Sequence, residues 1–339
     1  MANILVTGGA GFIGSHVVDE LIKDGNKVVV LDDLSGGFLE NVNKNAVFVE
    51  GSILDTKLLS DMFARHKFDY VFHLAAYAAE GLSHFIKRFN YLNNLIGSVN
   101  LINESVLHKV KCFVFTSSIA VYGSIKPPMR EDMVPHPEDS YGIAKFAVEQ
   151  ELKISKEMFG LDYIIFRTHN VYGERQNIGD KYRNVIGIFM NQIMQKQPMT
   201  VFGDGKQTRA FSYIGDVAPV MARSVKERSA YGEIFNLGAE KPYNIIELAE
   251  TVAMAMGTKP DIQYLKPRNE VQHAYCDHAK VKKFFKEGKA ASLKEGISRM
   301  AQWAKDIGPR KSKKFENIEI MQNLPERWLE DFGNRNLIL

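Results

Sequence analysis

The segment Thr7-Gly8-Gly9-Ala10-Gly11-Phe12-Ile13-Gly14 constrains this chain more than any other. It follows the apolar run Asn3–Thr7 and leads into the amphipathic stretch Gly14–Lys23, so a strand must turn through it into a helix. Gly8 permits a tight turn, Gly11 lets the backbone approach a bound pyrophosphate, and Gly14 lets the helix pack closely on the sheet. Free N–H groups and the positive dipole end at the helix start then form an anion site. Phe12 and Ile13 belong to the same turn and are expected to line it. The second apolar run, Lys27–Leu31, ends at Asp32 and Asp33. A carboxylate at that place accepts the ribose 2′-hydroxyl of a dinucleotide and repels a 2′-phosphate, which favours NAD over NADP.

The rest of the first half continues the alternation that this turn begins. Ala46–Glu50, Tyr70–Leu74, Lys111–Thr116 and Tyr163–Arg167 read as strands buried on both faces, and Lys57–Arg65, Tyr91–Leu107 and Tyr141–Phe159 as the helices between them. The expected fold is α/β: a Rossmann-type doubly wound parallel sheet with a smaller C-terminal α/β substrate lobe. Residues 1–170 are assigned to the nucleotide-binding domain, with the chain returning to it near 210–240, and 171–307 to the substrate-binding lobe. That lobe holds a helix at Asn184–Gln195, a strand at Glu233–Leu237 and a helix at Ile245–Met256. The tail, 308–339, has no clear period beyond a short helical pattern around Pro325–Phe332.

Bulk composition narrows the partners. A net charge of +3 over 339 residues is too small and too evenly spread for nucleic acid. The one dense basic cluster, Arg310–Lys314, reads as a solvated surface segment. Cys112 and Cys276 lie far apart with no metal-ligand spacing around them, which argues against a disulfide framework and a metal site and fits a reducing cytoplasm. Cys112 sits in an apolar run and reads as core. No apolar stretch is long enough for a membrane helix, and the N-terminus carries no secretion signal.

Tyr141-Gly142-Ile143-Ala144-Lys145 puts a phenol and an ammonium on one helical face, a turn apart. A cationic Lys145 stabilises tyrosinate, so Tyr141 can act as a base toward a sugar hydroxyl, while Lys145 also holds the nicotinamide ribose. Thr116-Ser117-Ser118 ends the fifth strand, and Ser118 is assigned the hydrogen bond to the reacting oxygen.

Glycine spacing, acidic second strand and Ser/Tyr/Lys set together resemble the extended short-chain dehydrogenase/reductases, specifically the nucleotide-sugar epimerase and dehydratase family. The resemblance covers roughly residues 2–280. It implies adenine contacts at Ser52 and Ile53, where Ser52 departs from the family's usual Asp. It also implies cofactor contacts at Leu74, Ala75, Ala76 and Asn94, which fall in His73-Leu74-Ala75-Ala76 and Asn93-Asn94. In Arg167-Thr168-His169-Asn170-Val171-Tyr172-Gly173, Asn170 inherits a sugar contact, and Asn184-Val185 a diphosphate contact. In the run Val201–Asp216, Arg209 inherits the phosphate-pairing arginine, and Arg268 resembles a second one. A homodimer built from Tyr91–Leu107 and Tyr141–Phe159 is implied as well.

Absences choose among the family's reactions. The 4,6-dehydratases carry an Asp-Glu pair after the strand-end hydroxyl residue, and the decarboxylases usually keep the Glu; here Ile119 and Ala120 move no proton. The remaining set fits redox-neutral 4-epimerisation of a nucleotide-diphosphate sugar through a transient 4-keto sugar. The alternatives are a 4-dehydrogenase or 4-keto reductase with net redox, a 3,5-epimerase lacking that group's Cys, a dehydratase lacking the acid pair, and a non-catalytic NAD-binding protein. Glu80 is an extra acid in the loop Ala76–Ser83, which has no Lys where several 4-epimerases have one. It reads either as solvated or backbone-bonded, or as an additional acid/base.

Overall fold

Apolar runs with no polar face assemble into a seven-stranded parallel sheet in the computed structural model, which describes residues 1–329 apart from 269, 287, 289, 313 and 314. Its strands are β1 (Asn3–Thr7), β2 (Lys27–Asp32), β3 (Val47–Glu50), β4 (Tyr70–His73), β5 (Cys112–Ser118), β6 (Tyr163–Thr168) and β7 (Glu233–Leu237). They lie in the order β7-β6-β5-β4-β1-β2-β3. Successive side chains point to opposite faces, so each strand feeds two cores. Ile4 and Val6 of β1 join one core while Leu5 joins the other; Val28 and Val30 of β2 divide in the same way from Val29 and Leu31.

Helices cover both faces, as a doubly wound sheet requires. Helix α1 (Phe12–Lys23) buries Val17, Val18 and Leu21 on the first face. On the second face lie α2 (Thr56–His66), α3 (Gly97–Leu107) and α4 (Ser140–Phe159), through Leu59 and Phe63, Leu101 and Ile102, and Val148 and Leu152. The stretch read as one helix over Tyr91–Leu107 starts earlier, at Lys87–Tyr91, and passes through a π-helical turn, Leu92–Ile96, before α3.

Beyond β6 the chain forms α5 (Val185–Met194), α6 (Ile214–Arg223), α7 (Ile245–Met256) and α8 (Leu293–Ile307), with short strand pairs among them. Phe189, Met221, Leu248 and Met300 from these helices share one continuous core with Ile4 and Val17 of the first half. A boundary at residue 170 therefore divides the sequence without dividing the packing. Helix α8 was not anticipated; it starts at a capping box in which Ser292 and Glu295 bond each other's backbone N–H.

The described part of the tail is packed. Arg310, expected to be solvated, places its guanidinium 4.1 Å from the Phe38 ring centroid and pairs with Glu40 at 2.5 Å. Lys313 and Lys314 of the same basic run lie outside the described residues. Phe315, Ile318, Met321, Leu324 and Trp328 join Tyr77, Phe85, Phe89 and Tyr182 in a separate apolar cluster. Glu319 accepts the backbone N–H groups of Arg88 and Phe89, both at 2.8 Å. The helical pattern at Pro325–Phe332 appears as Glu326–Leu329, and its remaining residues lie outside the described ones.

One buried ion pair ties the sheet to α4. Arg167 on β6 donates to Glu149 from Nε at 3.0 Å and from Nη2 at 2.6 Å, and Ser117 on β5 donates to the same carboxylate at 2.6 Å. Arg167 also stacks 4.7 Å from the ring of Tyr122, whose hydroxyl donates to Asn236 on β7 at 2.9 Å. Removing one partner strands the other charge away from water. Glu149→Ala is expected to cost about 3–5 kcal/mol, read as a lower urea midpoint; an unchanged midpoint would show that the pair does not hold the sheet.

Candidate active site

The strand order reverses between β4 and β1, and a cavity of ≈ 470 Å³ opens at the carboxyl ends of the strands there. Its floor is backbone. Gly8 has φ +73°, and a Cβ on it would lie 2.6 Å from the Ala75 nitrogen; one on Gly14 would lie 2.1 Å from the Gly8 carbonyl oxygen. The turn and the loop after β4 thus touch main chain to main chain, which only glycine allows. Helix α1 has no side-chain cap at Gly11, so its first N–H groups face the cavity uncommitted to a cap.

Asp32 is almost fully buried at the cavity wall, where its carboxylate accepts the N–H groups of Ala10 at 3.0 Å and Leu34 at 2.9 Å. Burial raises its pKa and those bonds oppose the rise. Asp33 lines the same wall. Two carboxylates here suit a ribose diol and exclude a phosphate, and the glycine cradle suits a pyrophosphate, so the residues present fit NAD.

Gly11, Phe12, Ile13, Ile53, Leu74, Ala75 and Ala76 also line the cavity. Ser52 and Asn94 do not. Ser52 Oγ turns back to accept the Leu54 N–H at 3.2 Å. Asn94 is fully buried, accepting the Tyr77 N–H at 2.8 Å and donating to the Tyr77 carbonyl at 3.1 Å, so it shapes the loop behind the cavity while its neighbour Asn93 reaches the lining.

Ser118, Tyr141 and Lys145 meet in the cavity wall. The α4 start is set by Asp139, whose side chain accepts the Gly142 N–H at 2.8 Å, and this aims Tyr141 inward. Burial pushes the Tyr141 phenol up; the neighbouring hydroxyl of Ser118 pulls hardest the other way, Asp139 and Glu80 add to the rise, and Arg183 lowers it. The sequence assigned that pull to Lys145. Burial brings Lys145 itself down to about 7, against the attraction of Glu149, and so weakens the charge it offers. Its Nζ donates to the Thr116 carbonyl at 2.8 Å and lies 4.7 Å from the Phe115 ring centroid and 5.7 Å from that of Tyr141.

Asn170, Asn184, Val185, Arg209 and Arg268 line the same cavity. Arg209 is braced by the carbonyls of Thr208, Val271 and Gln272 and lies 3.6 Å from Glu270. Arg268 stacks 4.6 Å from the Phe202 centroid and pairs with Glu270 at 3.1 Å. Among the described residues, Thr116 Oγ1, Gln176 Oε1 and Arg268 Nε are buried without a hydrogen-bond partner, and all three residues line this cavity. Each such atom costs about 1–3 kcal/mol unless a ligand satisfies it.

Sequence reasoning missed Arg183 and Tyr77. Arg183 stacks 4.7 Å from the Tyr77 centroid and pairs with Asp180 at 2.5 Å, and both rim the cavity beside Tyr141. Glu80 is exposed, as the solvated reading has it, and the surface its side chain faces is the cavity. Enclosure and the nearby Asp139 raise its pKa to about 7, against the pull of Arg209 and Arg268. Among the described residues no His/Cys/Asp/Glu cluster could hold a metal, and no helix is long and apolar enough to cross a membrane.

Comparison with known proteins agrees with this geometry. Residues 4–238 match the model of the NAD dependent epimerase/dehydratase family. A putative UDP-glucose 4-epimerase of Methanocaldococcus jannaschii is 36% identical over 306 residues, 89% of this chain and 98% of that protein. The crystal structure of a UDP-glucose 4-epimerase with UDP-glucose from Thermotoga maritima superposes with a TM-score of 0.86 at 36% identity, over 90% of this chain and 99% of that one. A UDP-glucuronic acid 4-epimerase from Bacillus cereus, solved with UDP-glucuronic acid and NAD, gives 0.83 at 28% identity with the same coverage.

The glycine floor generates a direct test. Gly14→Ala drives a methyl into the Gly8 carbonyl, so the purified variant is expected to lose its NAD, measured as nucleotide released on denaturation; full occupancy would remove the turn from the cofactor site.

Proposed function

This chain belongs to the NAD-dependent epimerase/dehydratase family, and on that premise we propose that it is an NAD-dependent 4-epimerase of a nucleotide-diphosphate sugar. The observation that carries the reading is a cavity-facing Ser118/Tyr141/Lys145 set with no proton-moving group at Ile119 or Ala120. Those two residues open a 3-10 turn directly after Ser118. A dehydratase needs an acid and a base beside the sugar at that place; an epimerase does not.

In this reading Arg209 and Arg268 hold the diphosphate through their guanidinium groups. Asn170 and Asn184, both in left-handed backbone conformation, position the sugar and diphosphate from the loops before and after. Ser118 donates to the sugar O4 oxygen, and Tyr141 takes the O4 proton as the carbonyl forms. Lys145 anchors the nicotinamide ribose and supplies positive charge beside the phenol. NAD held there would supply the acceptor for the hydride that leaves sugar C4 and the donor for its return to the opposite face of the 4-keto sugar. Tyr141 then gives the proton back, and the sugar leaves with its C4 configuration inverted.

Two further parts of the proposal concern setting. The buried, unpaired thiols of Cys112 and Cys276 suit a reducing cytoplasm. Exposed apolar side chains on α3 and α4, among them Leu107, Ile143, Ile154 and Met158, suit a homodimer that packs these helices against their counterparts.

Purified protein is expected to interconvert UDP-glucose and UDP-galactose, followed by NMR, with no accumulation of NADH; steady NADH production would replace the epimerase by a dehydrogenase. Tyr141→Phe should lower kcat by about 10²–10⁴, and retained activity would refute the base. Sedimentation equilibrium should give twice the chain mass for the native protein and a monomer for Ile154→Glu; a native monomer at micromolar concentration would exclude the dimer.

A further inference from the structure

Glu80 has no part in the chemistry described above, yet the fold holds it in place with care. It opens the short helix Glu80–Ser83. Ser83 Oγ donates to the Glu80 carbonyl at 2.7 Å and accepts the backbone N–H of Tyr141 at 3.2 Å. The turn that carries Glu80 is therefore pinned to the first turn of α4, and the carboxyl has a set position relative to the proposed base. On its other side, a Cβ on the adjacent Gly81 would lie 4.0 Å from Arg268 Nη1. The turn that carries Glu80 thus spans the interval from an arginine assigned to the diphosphate to the helix that carries the phenol assigned to C4. In a nucleotide-diphosphate sugar, that interval is the sugar ring.

The groups that face Glu80 are mixed in sign. Asp139 at the start of α4 and Glu270 act against its negative charge, and Arg209 and Arg268 act for it. Tyr141 feels it from α4. Glu270 already engages both arginines, at 3.6 Å and 3.1 Å. A diphosphate on those arginines draws their field further from Glu80. A carboxylate on the sugar then meets that of Glu80 with the field of these two arginines already engaged.

We propose that Glu80 is a specificity-determining residue that touches the sugar ring and bars a sugar bearing its own carboxylate, so that the substrate is an uncharged hexose and not a hexuronate. This rests on the 4-epimerase reading. It separates this chain from one class of its own structural relatives, the UDP-glucuronic acid 4-epimerase of Bacillus cereus being of the hexuronate kind. The sign of the pH dependence follows. With its pKa raised to about 7, the charged fraction of Glu80 grows as pH rises through neutrality. Repulsion of a hexuronate therefore grows as pH rises across that window, while an uncharged hexose meets no such term.

The test compares kcat/KM for UDP-glucose and UDP-glucuronate with the NAD-loaded enzyme at pH 6 and pH 8, for the native protein, Glu80→Gln and the charge-keeping Glu80→Asp. The native protein is expected to favour UDP-glucose, by a ratio that rises between pH 6 and pH 8. Glu80→Gln should cut the ratio by about tenfold or more at pH 8, the size of one like-charge contact, through a lower KM for UDP-glucuronate, and flatten the pH dependence. Glu80→Asp should keep both. Equal use of the two sugars by the native protein, or an unchanged ratio in Glu80→Gln, overturns the proposal. If the native protein converts neither sugar, the epimerase reading fails. Calorimetric binding of the same sugars to the NAD complex then decides the role of Glu80: weaker UDP-glucuronate binding relieved in Glu80→Gln supports it, and equal binding refutes it.

Discussion

Everything at the catalytic end of this molecule depends on a contact between stretches of bare backbone. Gly8 sits against the main chain of Ala75 and Gly14 against the carbonyl of Gly8, so no side chain separates the first strand turn from the loop after β4. Side chains reinforce the contact from below. Thr7 Oγ1 bonds His73 Nδ1 at 2.7 Å and accepts the Ala75 N–H at 3.3 Å, while His73 Nε2 reaches Ser98 at 2.8 Å. Asp32 and Asn41 then engage the N–H and the carbonyl of Ala10. The floor is built before any catalytic residue is considered, and α4 is aimed against it.

Burial sets the protonation of nearly every titratable group around that floor. Tyr141 is driven up, Lys145 and Glu80 are both brought near 7, and His73 lies well below its ordinary value. The buried charge pair of Glu149 with Arg167 stands behind the cavity and not in it. The cavity thus sets these groups beside carboxylates and guanidiniums, Asp32, Arg183 and Arg209 among them, and a charged ligand changes their proton affinities when it arrives. For Tyr141 to take a proton its phenol must first ionise, so positive charge beside it has to bring it down toward neutrality against the effect of burial.

Much of this was legible in the sequence, for reasons that are local. The β1 turn and α1 are specified by residues within one window, and the strands by apolar runs with no polar face. Helix α7 could be bounded at Ile245–Met256 from its period alone. Side chains whose role depends on distant partners were harder. Arg183 matters because Tyr77, far away in sequence, lies under its guanidinium. Asn94 looks like a cofactor contact by position, but the π-helical turn at Leu92–Ile96 directs it to the Tyr77 backbone. Arg310 reads as part of a charged, solvated run until Phe38 and Glu40 are found beside it. Helix α8 did carry a local signal, the Ser292–Glu295 box, which a search for strand-helix alternation passes over.

The packed tail has a consequence for the order in which the molecule is finished. Its aromatic residues support the segment from Tyr77 to Phe89, and Trp328 reaches Tyr182 at 5.2 Å between centroids. Tyr77, Phe89 and Tyr182 are themselves cavity lining. Every strand of the main sheet leaves the ribosome before Phe315 or Trp328 does. During synthesis the nucleotide end is thus framed early by local contacts, while the wall beside the sugar waits for residues more than two hundred positions downstream, such as Glu319 on Phe89. The wall beside the sugar is thus the last part of the chamber to find its support, when Phe315 and Trp328 seat against Tyr77, Phe89 and Tyr182.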